Sequence, residues 1–222
     1  MRHVLLERHA GLMTALCLIT MSLGALAQLL PLGFQTTLST PSDGLKPLDA
    51  LALEGRDIYR REGCQQCHTR VVRDLPGDYA RYGAAQTSSD LAFDRPSLWG
   101  NARHGPDLSR LPSQHDEAWQ RVHLYSPRTK VPDSSMPGYP WLFEQALTGQ
   151  TIAARMRKLQ ALGAPYRDDE ILAAPSKVRG VAEATALLAY LRHSSQNHTS
   201  SDTALAASGQ TEESRKQTGD TP

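Results

Sequence analysis

Two cysteines and a histidine share one short run, Cys64-Gln65-Gln66-Cys67-His68. Thiols at this spacing lie about one helical turn apart and can add to the two vinyl groups of a porphyrin. A histidine directly after the second cysteine then falls against the ring face, where an imidazole nitrogen can bind iron. The run therefore reads as a covalent c-type haem site, with Cys64 and Cys67 as attachment points and His68 as proximal ligand. Other readings of the same residues ask for different surroundings. A thioredoxin-like redox pair wants a βαβ context, and none is visible. A structural zinc site wants a second pair of Cys or His ligands at matching spacing. A match by chance is also open to so short a motif.

A sixth ligand to the iron is sought among five methionines. Met1 begins the sequence, Met13 and Met21 lie in an apolar N-terminal run, and Met156 falls on the apolar face of a helix and reads as core. Met136 remains, in Pro132-Asp-Ser-Ser-Met136-Pro137-Gly138-Tyr139-Pro140-Trp141. Prolines on both sides stiffen that loop, so its thioether can be held against iron, and a Met/His pair raises the potential over two nitrogen ligands. His104, His115 and His123 are its rivals.

Gly105-Pro106-Asp107-Leu108 lies between the two candidate ligands. An iron-bound histidine usually gives its other ring N–H to a carbonyl that fixes its orientation. Pro106 has no N–H, but its constrained φ holds its carbonyl in place. The expectation is that the Pro106 carbonyl accepts from the His68 ring and that Leu108 packs on the haem face. The rival is a plain turn.

These residues need a scaffold and a compartment. Residues 10–42 hold no Asp, Glu, Lys or Arg. A helix across the bilayer core takes about 20 apolar residues, and residues 10–34 supply them, with Thr and Ser hydroxyls able to bond back to the helix backbone. Arg2 and Arg8 against Glu7 place residues 1–9 in the cytoplasm by the positive-inside bias, and the rest outside. A cleaved secretory signal ending at Ala25-Leu26-Ala27 is the alternative. The apolar run continues to Phe34, beyond the 7–15 residues or so of a signal core, which favours an uncleaved anchor. Cys17, inside this run, reads as a bystander.

The 222 residues carry 24 Lys+Arg against 23 Asp+Glu, a formal net charge of +1. That balance argues against nucleic acid as partner, since phosphate binding wants a basic excess. Residues 35–50 read as a Thr/Ser/Pro-rich linker and 51–193 as the globular domain. Residues 194–222 read as a polar, disordered tail. Helices are expected over 54–63, 115–124 and 151–162, and along the stripe Val181, Ala184, Leu187, Leu188, Leu191. Residues 70–140 read as long ordered loop, which a large apolar cofactor would organise. The fold class is thus mainly α, a single N-terminal transmembrane helix followed by a cytochrome c-like haem domain with long ordered loops.

Several short motifs accompany the haem run: Glu54-Gly-Arg-Asp-Ile-Tyr59, Arg81-Tyr-Gly83, Trp99-Gly100, Gly105-Pro-Asp-Leu108, Val131-Pro132, Met136-Pro137 and Tyr139-Pro-Trp141. Leu162-Gly-x-Pro-Tyr166 and Ala189-Tyr-Leu191 follow. Together they resemble the monohaem subunit II of cbb-type cytochrome c oxidases, called FixO or CcoO, over nearly the whole chain except the tail. The resemblance implies one haem c, held by Cys64 and Cys67 with His68 and Met136 as axial ligands. It implies a membrane subunit with no catalytic residues of its own, beside the catalytic haem–copper subunit and fed by a dihaem cytochrome c subunit or a cytochrome c donor. Residues 84–98 follow the family loosely, and Gln28 stands where an acid is usual. The anchored subunit of nitric oxide reductase, a free periplasmic carrier and a haem-sensing module are the rival functions.

Overall fold

The computed structural model describes residues 8–34, 40–41, 44–87, 89–94 and 96–193; the expected tail at 194–222 lies outside them. The chain divides into two units, residues 1–40 and 41–222.

The first unit holds helix α1, Ala10–Gly33. At about 1.5 Å per residue its 24 residues run roughly 36 Å, enough to cross a hydrocarbon core of about 30 Å. Thr14 Oγ1 donates to the Ala10 carbonyl at 2.9 Å and Thr20 Oγ1 to the Leu16 carbonyl at 3.0 Å. Both hydroxyls are therefore satisfied within the helix itself. Cys17 is exposed on its surface.

The second unit is built on α2, Ala50–Arg61, and on a last helix over residues 183–193, α10. Asp49 caps α2 by accepting from Ala52 N at 2.8 Å, a contact that stabilises a helix start by about 1 kcal/mol. Gly63, at φ 72°, ends the helical run and turns the chain into the 3₁₀ turn Cys64–Gln66. Where α2 and α10 meet, a Cβ on Gly55 would stand 1.9 Å from the Ala186 carbonyl oxygen, so only glycine admits this approach. Tyr59 and Tyr190 meet edge to face at the same crossing, 5.5 Å between centroids.

Two more helices complete the main body, α8 (Ile152–Ala161) and α9 (Asp168–Val178). Leu142, Ile152, Ile171, Val178 and Leu187 are almost wholly buried, each contributing about 1.5–3 kcal/mol relative to exposure. Met156 is buried among them. Leu48, inside the stretch read as linker, is also buried; its carbonyl accepts from the Tyr166 hydroxyl at 2.6 Å.

Between the haem run and Trp141 the chain is more helical than its composition indicates. It forms α3 (Pro76–Tyr82), α4 (Leu111–Gln114), α5 (Glu117–Tyr125), α6 (Pro127–Lys130) and, at the end, α7 (Trp141–Glu144). Most are one or two turns long, too short to show an apolar period, and α3, α4 and α6 carry proline in their first turn, where a missing N–H costs nothing. The fold is mainly helical; among the described residues the β content is one antiparallel bridge, Ala146 with Ala182.

Candidate haem site

The Cys64–Gln66 turn brings His68 N to within 2.9 Å of the Cys64 carbonyl. The segment is then clasped by two others. Arg70 N donates to the Trp99 carbonyl at 2.7 Å. Gly105 N donates to the Cys67 carbonyl at 3.0 Å, and Leu108 N to the Thr69 carbonyl at 2.8 Å. Two glycines make room for this clasp. At Gly100, φ 71°, a Cβ would stand 2.2 Å from the His68 carbonyl oxygen; at Gly105 it would stand 2.2 Å from Cε1 of the His68 ring.

His68 Nδ1 lies 2.8 Å from the Pro106 carbonyl oxygen. A carbonyl can only accept, so Nδ1 carries the hydrogen and Nε2 is left with its lone pair. Burial pulls this imidazole below its usual range, against the opposing influence of the Pro106 carbonyl and of Asp107. The ring is thus neutral near pH 7, the form that binds a metal.

Cys64, His68, Pro106, Leu108 and Met136 line one cleft, with about 720 Å³ of empty space. Leu111, Leu124, Leu187, Leu188 and Leu191 supply much of the apolar wall. The Met136 loop is pinned to α5 by Tyr139 N donating to the Leu124 carbonyl at 2.9 Å, and by Gly138, where a Cβ would stand 2.6 Å from the Tyr125 carbonyl oxygen.

Of the three rival histidines, His115 and His123 also line the cleft, and His104 is not part of its lining. His115, Trp119 and His123 stack in register, with centroids 3.6 Å and 4.6 Å apart. Burial lowers His123, with His115 and His68 acting the same way and the Pro127 carbonyl against them.

The cysteines differ. Cys67 is exposed, whereas burial pushes the partly buried Cys64 thiol up to about 12. Cys64 is therefore protonated at neutral pH. The Tyr59 hydroxyl opens on the same cleft, is buried, and has no hydrogen-bond partner; burial pushes it far above the ordinary phenol range. An orphaned buried donor beside an apolar cleft, with a neutral imidazole, a thioether and the Cys64 thiol on its wall and Cys67 three residues further along the chain, fits a haem.

Sequence reasoning passed over the residues behind this wall. Arg70 is buried, stacked 4.0 Å over the Tyr190 ring and paired with Asp94 at 3.3 Å. The Arg81-Tyr82-Gly83 run supplies Tyr82, whose hydroxyl lies 3.4 Å from Asp107 N and whose ring lies under Arg103 at 5.0 Å. The motif signalled that the residues mattered, but nothing in it showed that they reach the proximal side of the site.

No curated protein matches the chain. The family model described as cytochrome c oxidase, mono-heme subunit/FixO, matches residues 3–212. Almost the whole chain is covered, α1 and the haem-type site alike. The chain belongs to this FixO family, the mono-haem subunit of membrane-bound cytochrome c oxidase, and that family carries a c-type haem.

Proposed function

We propose that this chain is the electron-relay subunit of a cbb-type terminal oxidase. One haem c is held through Cys64 and Cys67, with His68 and Met136 as its axial ligands. The haem supplies reversible one-electron exchange. The chain's own residues would do the rest: Pro106 orients His68, Leu108 and the leucines of α10 exclude water, and Met136 would supply a second ligand to the iron. Helix α1 anchors the domain by a single pass, with Arg2 and Arg8 on the cytoplasmic side and the haem domain on the periplasmic side. Electrons arrive from a dihaem subunit or a cytochrome c donor and leave to the catalytic haem–copper subunit.

The observation that carries this reading is the 2.8 Å contact between His68 Nδ1 and the Pro106 carbonyl in a cleft that also contains Met136. It presents a metal-binding nitrogen and a thioether to the same space. Purification of the tagged chain from native membrane tests the reading. Co-purification with a haem–copper subunit and a dihaem cytochrome is expected. Recovery as a lone, membrane-free cytochrome beginning at Gln28 would refute it.

A further inference from the structure

Behind Pro106 lies a charge that the site itself does not use. Asp107 is 2 % exposed, and its carboxylate is completely enclosed. Oδ1 accepts from Ser109 N at 2.9 Å and from the Ser109 hydroxyl. Oδ2 accepts from the Thr69 hydroxyl at 2.5 Å and faces Arg103 Nη2 at 3.5 Å. The backbone N–H of Asp107 donates to the Tyr82 hydroxyl at 3.4 Å. Thr69 and Ser109 are themselves buried.

Arg103 is held from several directions. Its Nε donates to Thr69 Oγ1 at 2.7 Å, Nη2 to the Val71 carbonyl at 3.2 Å, and Nη1 to Asp78. Asp78 is also paired with Arg73 at 3.1 Å. Every polar atom of the Asp107 carboxylate is therefore engaged by groups that are themselves fixed. A buried carboxylate is costly unless paired and hydrogen-bonded, and here it is both.

The position of this charge is specific. Pro106 is bonded covalently to Asp107, and the Pro106 carbonyl oxygen is the acceptor for His68 Nδ1. Thr69, which binds Asp107, directly follows His68. The proximal histidine is thus tied to one carboxylate by two routes, through the Pro106 carbonyl and through the Thr69 hydroxyl. We propose that Asp107 is a positioning residue for the proximal ligand: it fixes the Pro106 carbonyl on His68 and sets a buried negative charge behind the ring that lowers the haem potential. Arg103 offsets part of that charge. The inference rests on the reading of His68 as proximal ligand.

The electrostatic direction is fixed. A negative charge near iron favours the ferric state, which carries one more positive charge, and low local dielectric makes the effect large. Removing it raises the potential, and removing the Arg103 cation lowers it.

The test is redox titration of the full-length holoprotein in detergent, with optical spectra of both oxidation states. Asp107→Asn keeps the side-chain shape and an oxygen for Ser109, and is expected to keep covalent haem and shift the midpoint potential upward. Arg103→Gln is expected to shift it downward, and it alone decides the sign if Asp107→Asn fails to accumulate. An unchanged midpoint in either variant, or a shift of both in the same direction, overturns the proposal, because loss of packing has no reason to change sign with charge. Failure of the wild-type chain to carry covalent haem would refute the haem reading instead, and is seen before any variant is compared.

Discussion

A Cβ on Gly55 would lie 1.9 Å from the carbonyl oxygen of Ala186, so the first and last helices of the haem domain touch backbone to backbone. A contact this short has no slack, because its nearest atoms belong to a helix backbone and not to a side chain that can swing away. Gly55→Ala should destabilise the domain by about 1–3 kcal/mol, the usual range for overpacking. Thermal unfolding of the holoprotein should show a lower midpoint, by roughly 2–4 °C per kcal/mol for a chain of this size. An unchanged midpoint would mean that the helices cross elsewhere.

Gly105 serves the His68 ring in a similar way, since a Cβ there would stand 2.2 Å from Cε1. Gly105→Ala should leave both cysteines able to bind haem but tilt the imidazole off the Pro106 carbonyl. A weakened low-spin spectrum with covalent haem retained is the expected result. A wild-type spectrum would show that the ring does not occupy this position in the holoprotein.

Met136→Leu removes the thioether and keeps the apolar volume. Covalent haem should persist, the potential should fall, and the reduced iron should bind carbon monoxide. Should the variant instead turn into a six-coordinate, bis-nitrogen species, one of the stacked histidines lining the cleft has taken the position, and His123→Ala in the Met136→Leu background would reveal it.

The two attachment thiols should differ in reactivity before haem is added. With Cys17→Ala removing the third thiol, alkylation of haem-free protein should modify exposed Cys67 first. Cys64, with a thiol near 12, should react about tenfold faster per unit of rising pH below that value, because only the thiolate attacks. Mass spectrometry of partly alkylated protein reads both rates. Equal rates would show that the cleft closes only after attachment.

Acid should act on the network around Asp78. The Arg103 guanidinium beside it, with help from Arg73, holds this carboxyl down to about 2. A carboxyl depressed in the folded state contributes stability above its unfolded value, about 3.9, and loses that contribution as pH falls through 2. Between pH 4 and 2 the wild-type midpoint of unfolding should therefore drop more steeply than that of Asp78→Asn. Parallel curves would remove Asp78 from the acid response.

Where the sequence speaks in long periods, it was readable. The 181–191 stripe became α10, and Ile152, Met156 and Leu159 mark α8, all because several turns repeat one apolar face. Helix α9 carries Ile171, Ala174 and Val178 at helical spacing, but three acids fill its first turn and Pro175 interrupts its third. The acids favour the helix start through its dipole, and the helix was not among those expected from the sequence. In the site, haem chemistry demands particular residue types at particular places; of the residues it pointed to, Cys64, His68, Met136, Pro106 and Leu108 share one cleft and Cys67 is exposed beside them. Asp107, Arg103 and Asp78 could not be named in this way. A charge among polar residues looks solvated in sequence, and only the folding of 67–70 against 105–109 shows Asp107 enclosed, with Arg103 partly buried beside it and Asp78 buried on α3.

Helix α10 forms part of the wall over Cys64, through Leu187, Leu188 and Leu191, and among the described residues it is the last element to be synthesised. The cysteine run is made more than a hundred residues earlier, straight after α2. Synthesis from the N-terminus therefore opens an interval in which both thiols exist and the cover over Cys64 does not. On the proposed reading haem attachment at Cys64 and Cys67 falls in that interval, and the order of the elements along the chain acts as a schedule for assembly.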